Sequence, residues 1–583
     1  MDHQATTSCL ARRFLLTLSL LAGAAFASFP VALVDAAPPK PAKKPPAPAG
    51  KPADKPTPPP APRSSILTNE AWAKAPLTPA KPEEIDQLVT KELEATKISP
   101  APVTSDEQFL RRVTLDLTGQ LPQPADVEEF VADKDPKKRE KMIDKLLDSD
   151  EYAQHWARYW REVIESRLSD FRDRVLARAF EAWIAEELKN NKSWDRITRE
   201  MIAAEGECKY DDNGKNGNVF FLASHHGNDA ANERAAETSR ISLGIQIQCA
   251  QCHDHPSDQW KRVQFHELAA YFARLRERPM RDMNRIVGTE LTSLPRAEHE
   301  MPSKEDPKKS FTTYPRFLDG KAPSKDLGDK ERRKALADSI TDKGNYWFAG
   351  AFANRVWGEL MGQSFYQPVD DMGPQKEAVF ADVLVRLASS FRATDYDIKR
   401  FFRTVCNSQT YQRQIRLGES SEQHLHFAAA YPKRLPADAL WESLANVLGH
   451  LSNGPAPAGP YAGLRRGPQG LEGLFKAEFD FDPSLKADEI EGSISQALLL
   501  MNNPALNQRM QARGTTLLGR LLSSYKEDDE ALRMVYLKTL ARKPTDKERD
   551  KCRDYIAKVG NRAEAFEDIL WALINSTEFQ TKR

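Results

Sequence analysis

The sequence predicts an all-α chain: two mainly helical domains behind an export signal and a Pro/Lys-rich linker. Three observations carry that expectation. Apolar residues recur at spacings of three and four through most of the chain, as one face of a helix requires. Capping residues stand before several of these runs and glycine after them. Alternating runs of strand length are nearly absent; "NVFFLAS" at 218–224 is the best exception and reads as a short buried extended piece.

The chain opens with Arg12 and Arg13 ahead of the apolar run "FLLTLSLLAGAAFA", followed by small-residue cleavage patterns ending at Ala27 or Ala36. That order is the order of a secretory signal, and residues 1–36 are assigned to it. The run is shorter than the roughly 20 residues of a membrane-spanning helix, and it stretches to an uncleaved N-terminal anchor, the one membrane attachment the sequence offers, only with Phe29 to Val34 counted in. Residues 37–65 ("APPKPAKKPPAPAGKPADKPTPPPAPRSS") are dominated by proline and lysine without apolar periodicity. Such a segment cannot bury a core and favours an extended polyproline conformation.

The body then reads as helix after helix. "PEEIDQLVTKELEAT" places Ile85, Leu88, Val89 and Leu93 on one face. "SDEQFLRRVTLDLTG" runs from a capping Ser105 to Gly119, and "PADVEEFVAD", "KKREKMIDKLLDS", "YAQHWARYWREVIESRL" and "VLARAFEAWIAEELKNN" keep the rhythm. Ser193 is the expected cap of "SWDRITREMIAAEG". These elements form a first helical domain at 66–275. A polar, proline-marked segment at 276–330 separates it from a second at 331–583. The latter holds "WFAGAFANRVWGELMG", "FADVLVRLASSF", "DIKRFFRTVCNSQTY", "PADALWESLANVLG" and four further helical runs, broken by the Gly/Pro-rich stretch "GPAPAGPYAGLRRGPQG".

Composition narrows function little. Lysine plus arginine and aspartate plus glutamate number 84 each, which gives no sign of a nucleic-acid partner. Behind the expected signal stand five cysteines: Cys208, Cys249, Cys252, Cys406 and Cys552. An exported protein stapled by disulfides would carry more, in even number.

Two of the five sit in "IQCAQCHDHPSDQW", as Cys249-x-x-Cys252-His253 with His255 two places on. A c-type haem is attached by two cysteines so spaced, and the adjoining histidine is an axial iron ligand. Haem c on Cys249 and Cys252, with His253 on the iron, is therefore the expected cofactor. Attachment outside the cytoplasm agrees with export to the periplasm or cell envelope, and a redox or cell-envelope protein is the expected partner. The same residues leave alternatives open: a compact zinc site on Cys249, Cys252, His253 and His255, a redox disulfide, or an inert turn. A sixth iron ligand would come from His225, His226, His255, His266, Met280 or Met283, none with privileged spacing.

The chain also resembles a known pair of families. "FLRRVTLDLTGQLP", "LLDSDEYAQHWARYW" and "SLGIQIQCAQCHDHPSDQWKRVQFHELAAYF" look like the planctomycete cytochrome-like domain, domain of unknown function 1549. "FANRVWGELMGQSFYQPVDDMG", "YDIKRFFRTVCNSQTYQR", "KRLPADALWESL", "SISQALLLMNNP" and "YLKTLARKPTDKE" are similar to its usual partner, the planctomycete-specific domain of unknown function 1553. The resemblance implies a secreted protein with haem, and it supplies no reaction. Ser257 and Gln259 stand where the family usually has Phe and Pro. In the second half, Asp370 and Asp371 read as a cap or turn before a cation site, and Asn354, Arg355 and Trp357 as a buried anchor. Trp156, Tyr159 and Trp160 read as core. No Gly-x-Ser-x-Gly elbow, phosphate loop or His-Glu-x-x-His helix occurs, so whether the chain is an enzyme is left open.

Overall fold

The structure, a computed structural model, describes residues 69–582 apart from 169–170, 210–213, 284, 307, 417–426, 450 and 452–469. The expected signal, the linker and nearly all of the Gly/Pro-rich stretch lie outside those residues. Helices dominate the described chain, and no helix in it is long and apolar enough to cross a membrane.

Local sequence explains the helix ends. The helix Asp106–Thr118 begins where Ser105 Oγ accepts the Gln108 N–H, and stops at Gly119 with φ 67°, a conformation in which a β-carbon is disfavoured. The helix Trp194–Ile202 starts after Ser193 as expected, although that hydroxyl makes no capping hydrogen bond. Pro82 and Pro124 open their helices at positions where the missing N–H costs nothing.

One hydrophobic core joins the two halves, running from Trp72 to Ala541. Trp160 stacks on Trp194 at 4.3 Å and on Phe352 at 6.1 Å, and Phe352 on Phe391 at 4.4 Å. Each such pair adds about 0.5–1.5 kcal/mol to the burial of its rings. Trp156, Tyr159 and Trp160 are thus core, as expected. The residues from Ser65 onward form one compact unit.

Two expectations are corrected. "NVFFLAS" is not extended: residues Gly217–Val219 form a 3-10 turn that runs into the helix Phe220–Ala223. Its apolar residues are buried on every side, so its pattern carries no period that separates strand from helix. The second correction concerns 276–330, which is not merely a polar connector, so the body is mainly helical rather than all-α. Strands β1 (Gly206–Lys209), β2 (Leu275–Asp282) and β3 (Arg285–Ser293) form an antiparallel sheet in the order β1-β3-β2. A second hairpin pairs β4 (His299–Pro302) with β5 (Ser310–Thr313). Near the end of the chain, β6 (Lys433–Arg434) pairs with β7 (Thr581–Lys582).

Candidate functional site

The Cys-x-x-Cys-His stretch leaves the core at the end of the helix Ala230–Leu243. Gly244 terminates that helix with φ 69°, and its carbonyl accepts the Met372 N–H at 2.7 Å. A β-carbon on Gly244 would also crowd the Met372 side chain. Ile245, Ile247 and Ala250 are buried, so the 3-10 turn Ile247–Ala250 is pinned by its apolar side and presents Cys249 to solvent. Cys252, also exposed and not disulfide-bonded, follows on the next turn.

The loop beyond the cysteines is closed on itself. The His255 N–H donates to the Trp260 carbonyl at 2.8 Å, and Trp260 is buried. Asp254 Oδ1 accepts the Arg262 N–H at 3.0 Å, at the start of the helix Arg262–Ala269. That bond, then the Lys261 ammonium, holds the Asp254 carboxyl below its usual range. Arg262 ties the loop to the second hairpin, donating to the Gln251 and Pro302 carbonyls at 3.2 and 2.6 Å.

Hydrogen bonding separates the two histidines of the motif. His253 Nδ1 lies 2.7 Å from the Asp254 carbonyl oxygen, which can only accept. Nδ1 therefore carries the proton, and the neutral ring leaves its lone pair on the exposed Nε2. His255 is the reverse: its Nδ1 accepts the Ser257 N–H at 3.3 Å, so in the neutral ring Nε2 holds the hydrogen. His253 has the tautomer of an Nε2 metal ligand, and its Nδ1–H has the carbonyl partner such ligands use. His255 does not.

Two flanks clamp the loop. On one, His266 Nε2 donates to the Gln251 carbonyl at 3.0 Å, so its Nδ1 is the acceptor for His299 Nε2–H at 2.8 Å. Both rings are buried and stack 5.1 Å apart. Burial lowers the pKa of both rings, and His299, also facing His266, is pushed down to about 4. On the other flank, Lys376 Nζ bonds Ser257 Oγ at 3.1 Å and Asp371 Oδ2 at 3.0 Å. A β-carbon on Gly373 would overlap the Asp258 carboxylate. Burial pushes the Asp258 carboxyl up.

Behind this flank stands Asp370, fully buried. Its Oδ2 faces Arg167 and Arg240 at 3.2 Å each and Arg355 at 3.7 Å, and its Oδ1 accepts from Gln246 Nε2 at 2.7 Å. Burial acts to raise its carboxyl, but the three guanidinium groups override it and hold the group below its usual range. Asp370 is an ion-pair hub that moors the motif, and Asp371 holds Lys376. Asn354 is the expected anchor: its Nδ2 donates to the Val369 carbonyl and its Oδ1 accepts the Tyr366 N–H.

Of the expected sixth ligands, His266 is committed to Gln251 and His299. His225 is buried with Glu233 at 3.7 Å from its Nδ1, and burial lowers it to about 4. His226 and Met283 are exposed, and Met280 sits half-buried on β2. Among the described residues no three of His, Cys, Asp and Glu gather into a group able to hold a metal ion. The four donors expected for zinc therefore do not converge in this structure. His299 has no local pattern in the sequence, and Asp370, read there as a cap or turn, shows its ion-pair role only in the fold.

Residues 84–277 match PSCyt2, described as protein of unknown function (DUF1549), and residues 332–469 match PSD1, protein of unknown function (DUF1553). The chain carries both matched regions, in that order along its length. No curated protein and no solved structure matches it. The motif lies in the PSCyt2 region and its Asp370–Lys376 flank in the PSD1 region, so residues from both families build the site.

Proposed function

We propose that the protein is an exported c-type haem protein serving electron transfer, with haem joined to Cys249 and Cys252 and His253 on the iron. The observation that carries this reading is the His253 tautomer, which leaves Nε2 free beside two exposed, unbridged thiols. The donor set fits the group: two thiols for its vinyl side chains and one imidazole nitrogen for its iron. When bound, haem supplies a one-electron couple. The chain's part is to hold the motif rigid between the His266–His299 pair and the Asp370–Lys376 flank. An exposed motif suits exchange with a redox or cell-envelope protein that docks over it. The name PSCyt2, with its hint of a cytochrome, supports the same reading.

The test is export of the full chain in a host with haem-attachment machinery, followed by a pyridine haemochrome spectrum on denatured, washed protein. Covalent c-type absorbance is expected in the wild type and none in Cys252→Ser. His253→Gln should change the Soret spectrum of the folded protein by removing the axial imidazole, whereas His255→Gln should leave it unchanged. A colourless wild type from a host that matures a control cytochrome would sink the proposal. It would leave a non-redox scaffold whose cysteines hold zinc or a disulfide.

A further inference from the structure

Away from the motif, a groove of about 620 Å³ opens between the start of the helix Asp106–Thr118, residues 413–415 and residues 540–545. It is rich in cations, and most of them are already engaged. Arg112 donates to the Tyr411 and Leu360 carbonyls, and Arg542 is paired with Glu548 and Glu578. Arg413 differs. The residue is only 6% exposed, yet among the described residues its guanidinium makes one hydrogen bond, from Nη1 to the Phe427 carbonyl at 2.8 Å. No carboxylate lies within ion-pair distance of it among the described residues.

A buried guanidinium without a counter-ion is costly. Burial accordingly holds Arg413 below the ordinary arginine range, with the Asp86 charge offsetting part of the effect and Arg416 adding to it. Lys543, on another wall of the groove, is exposed and has no carboxylate partner among the described residues either. The carboxylates in the lining are Glu578, neutralised by Arg542, and the half-buried Glu107. Gln108 and Gln414 add neutral donors and acceptors, and Leu540 and Ile415 an apolar wall.

We propose that this groove binds a small hydroxylated oxyanion, its carboxylate, phosphate or sulfate group held by Arg413 and Lys543 and its hydroxyls by the two glutamines. The planar fork of arginine matches two oxygens of any of these groups, and the lysine adds a point charge. The site is independent of haem.

The full chain is titrated calorimetrically with inorganic phosphate, sulfate, glucuronate and glucose 6-phosphate, at ionic strength held constant with chloride. Neutral glucose serves as control. At least one oxyanion should bind saturably, about tenfold more weakly in Arg413→Gln and about threefold more weakly in Lys543→Gln. Response to phosphate and sulfate alone assigns a tetrahedral group, and response to glucuronate alone a carboxylate. Where phosphate binds, glucose 6-phosphate binding no tighter than phosphate overturns the hydroxylated body. Absence of saturable binding by every oxyanion, or unchanged affinity in a folded Arg413→Gln, overturns the site itself. Should Arg413→Gln not fold, Lys543→Gln decides alone, and unchanged affinity in it is the overturning result.

Discussion

Asp370→Asn is expected to destabilise the protein by about 3–5 kcal/mol, the usual result of removing one partner from a buried ion cluster. The substitution keeps shape and volume, so the loss is electrostatic. Every group facing the carboxylate is a donor: Arg167, Arg240 and Arg355 at Oδ2, Gln246 at Oδ1. An asparagine NH₂ turned either way faces a donor and leaves that donor without its acceptor. Arg240 and Arg355 are themselves buried, and Arg240 would keep Glu237 as its counter-ion, whereas Arg355 has no other carboxylate within 4 Å among the described residues. Denaturant unfolding checks this through a lowered midpoint at unchanged slope. A loss below about 1 kcal/mol, the scale of an exposed pair, would show that the hub is not desolvated as the structure has it. Because Gln246 stands just before the motif, the same variant should also lower the yield of attached haem under the function proposed above.

The motif and the hub behind it are unequally legible in the sequence. Cys249, Cys252 and His253 lie within five residues, so their spacing alone announces them. Asp370 draws its meaning from Gln246 and Arg167, which lie 124 and 203 residues before it. Nothing local distinguishes it from the paired carboxylate of an ordinary turn. The same contrast holds for the fold. Ser105 and Gly119 mark a helix because caps act within one turn of backbone. β2 carries no strand pattern of its own because "LRERPMRD" is charged on both faces, contains Pro279 and breaks register between Met280 and Arg281. Its strand state is imposed by β3, which also pairs with β1 from far upstream. His299 is hidden for the same reason: only after β4 is placed does it reach His266 and, through it, the carbonyl of Gln251.

A large pH effect is expected at Glu359, buried inside the core. Its Oε2 meets Lys433 Nζ and its Oε1 meets Lys582 Nζ at 2.8 Å, while Lys582 also reaches Asp116 at 3.0 Å. Burial alone would raise the carboxyl, but the two ammonium groups override it and hold Glu359 at about 2, against an ordinary 4.5. A carboxyl depressed in the folded state stabilises fully above its unfolded value, and that stability is lost as pH falls toward the folded value. Its contribution should therefore be complete at neutral pH and drain away between about 4.5 and about 2. Glu359→Gln removes the counter-ion of Lys433, which has no other among the described residues. It should lose about 3–5 kcal/mol near pH 7. The gap from wild type should narrow on acidification, because the wild type alone gives up this ion pair as Glu359 takes its proton. Denaturant unfolding of both proteins from pH 7 down to pH 3 reads the difference directly. A gap that stays constant across that range would mean the carboxyl is not held down by the lysines. A gap that closes on acidification would place β6 and β7, which bring Lys433 and Lys582 together, among the acid-sensitive contacts of the fold.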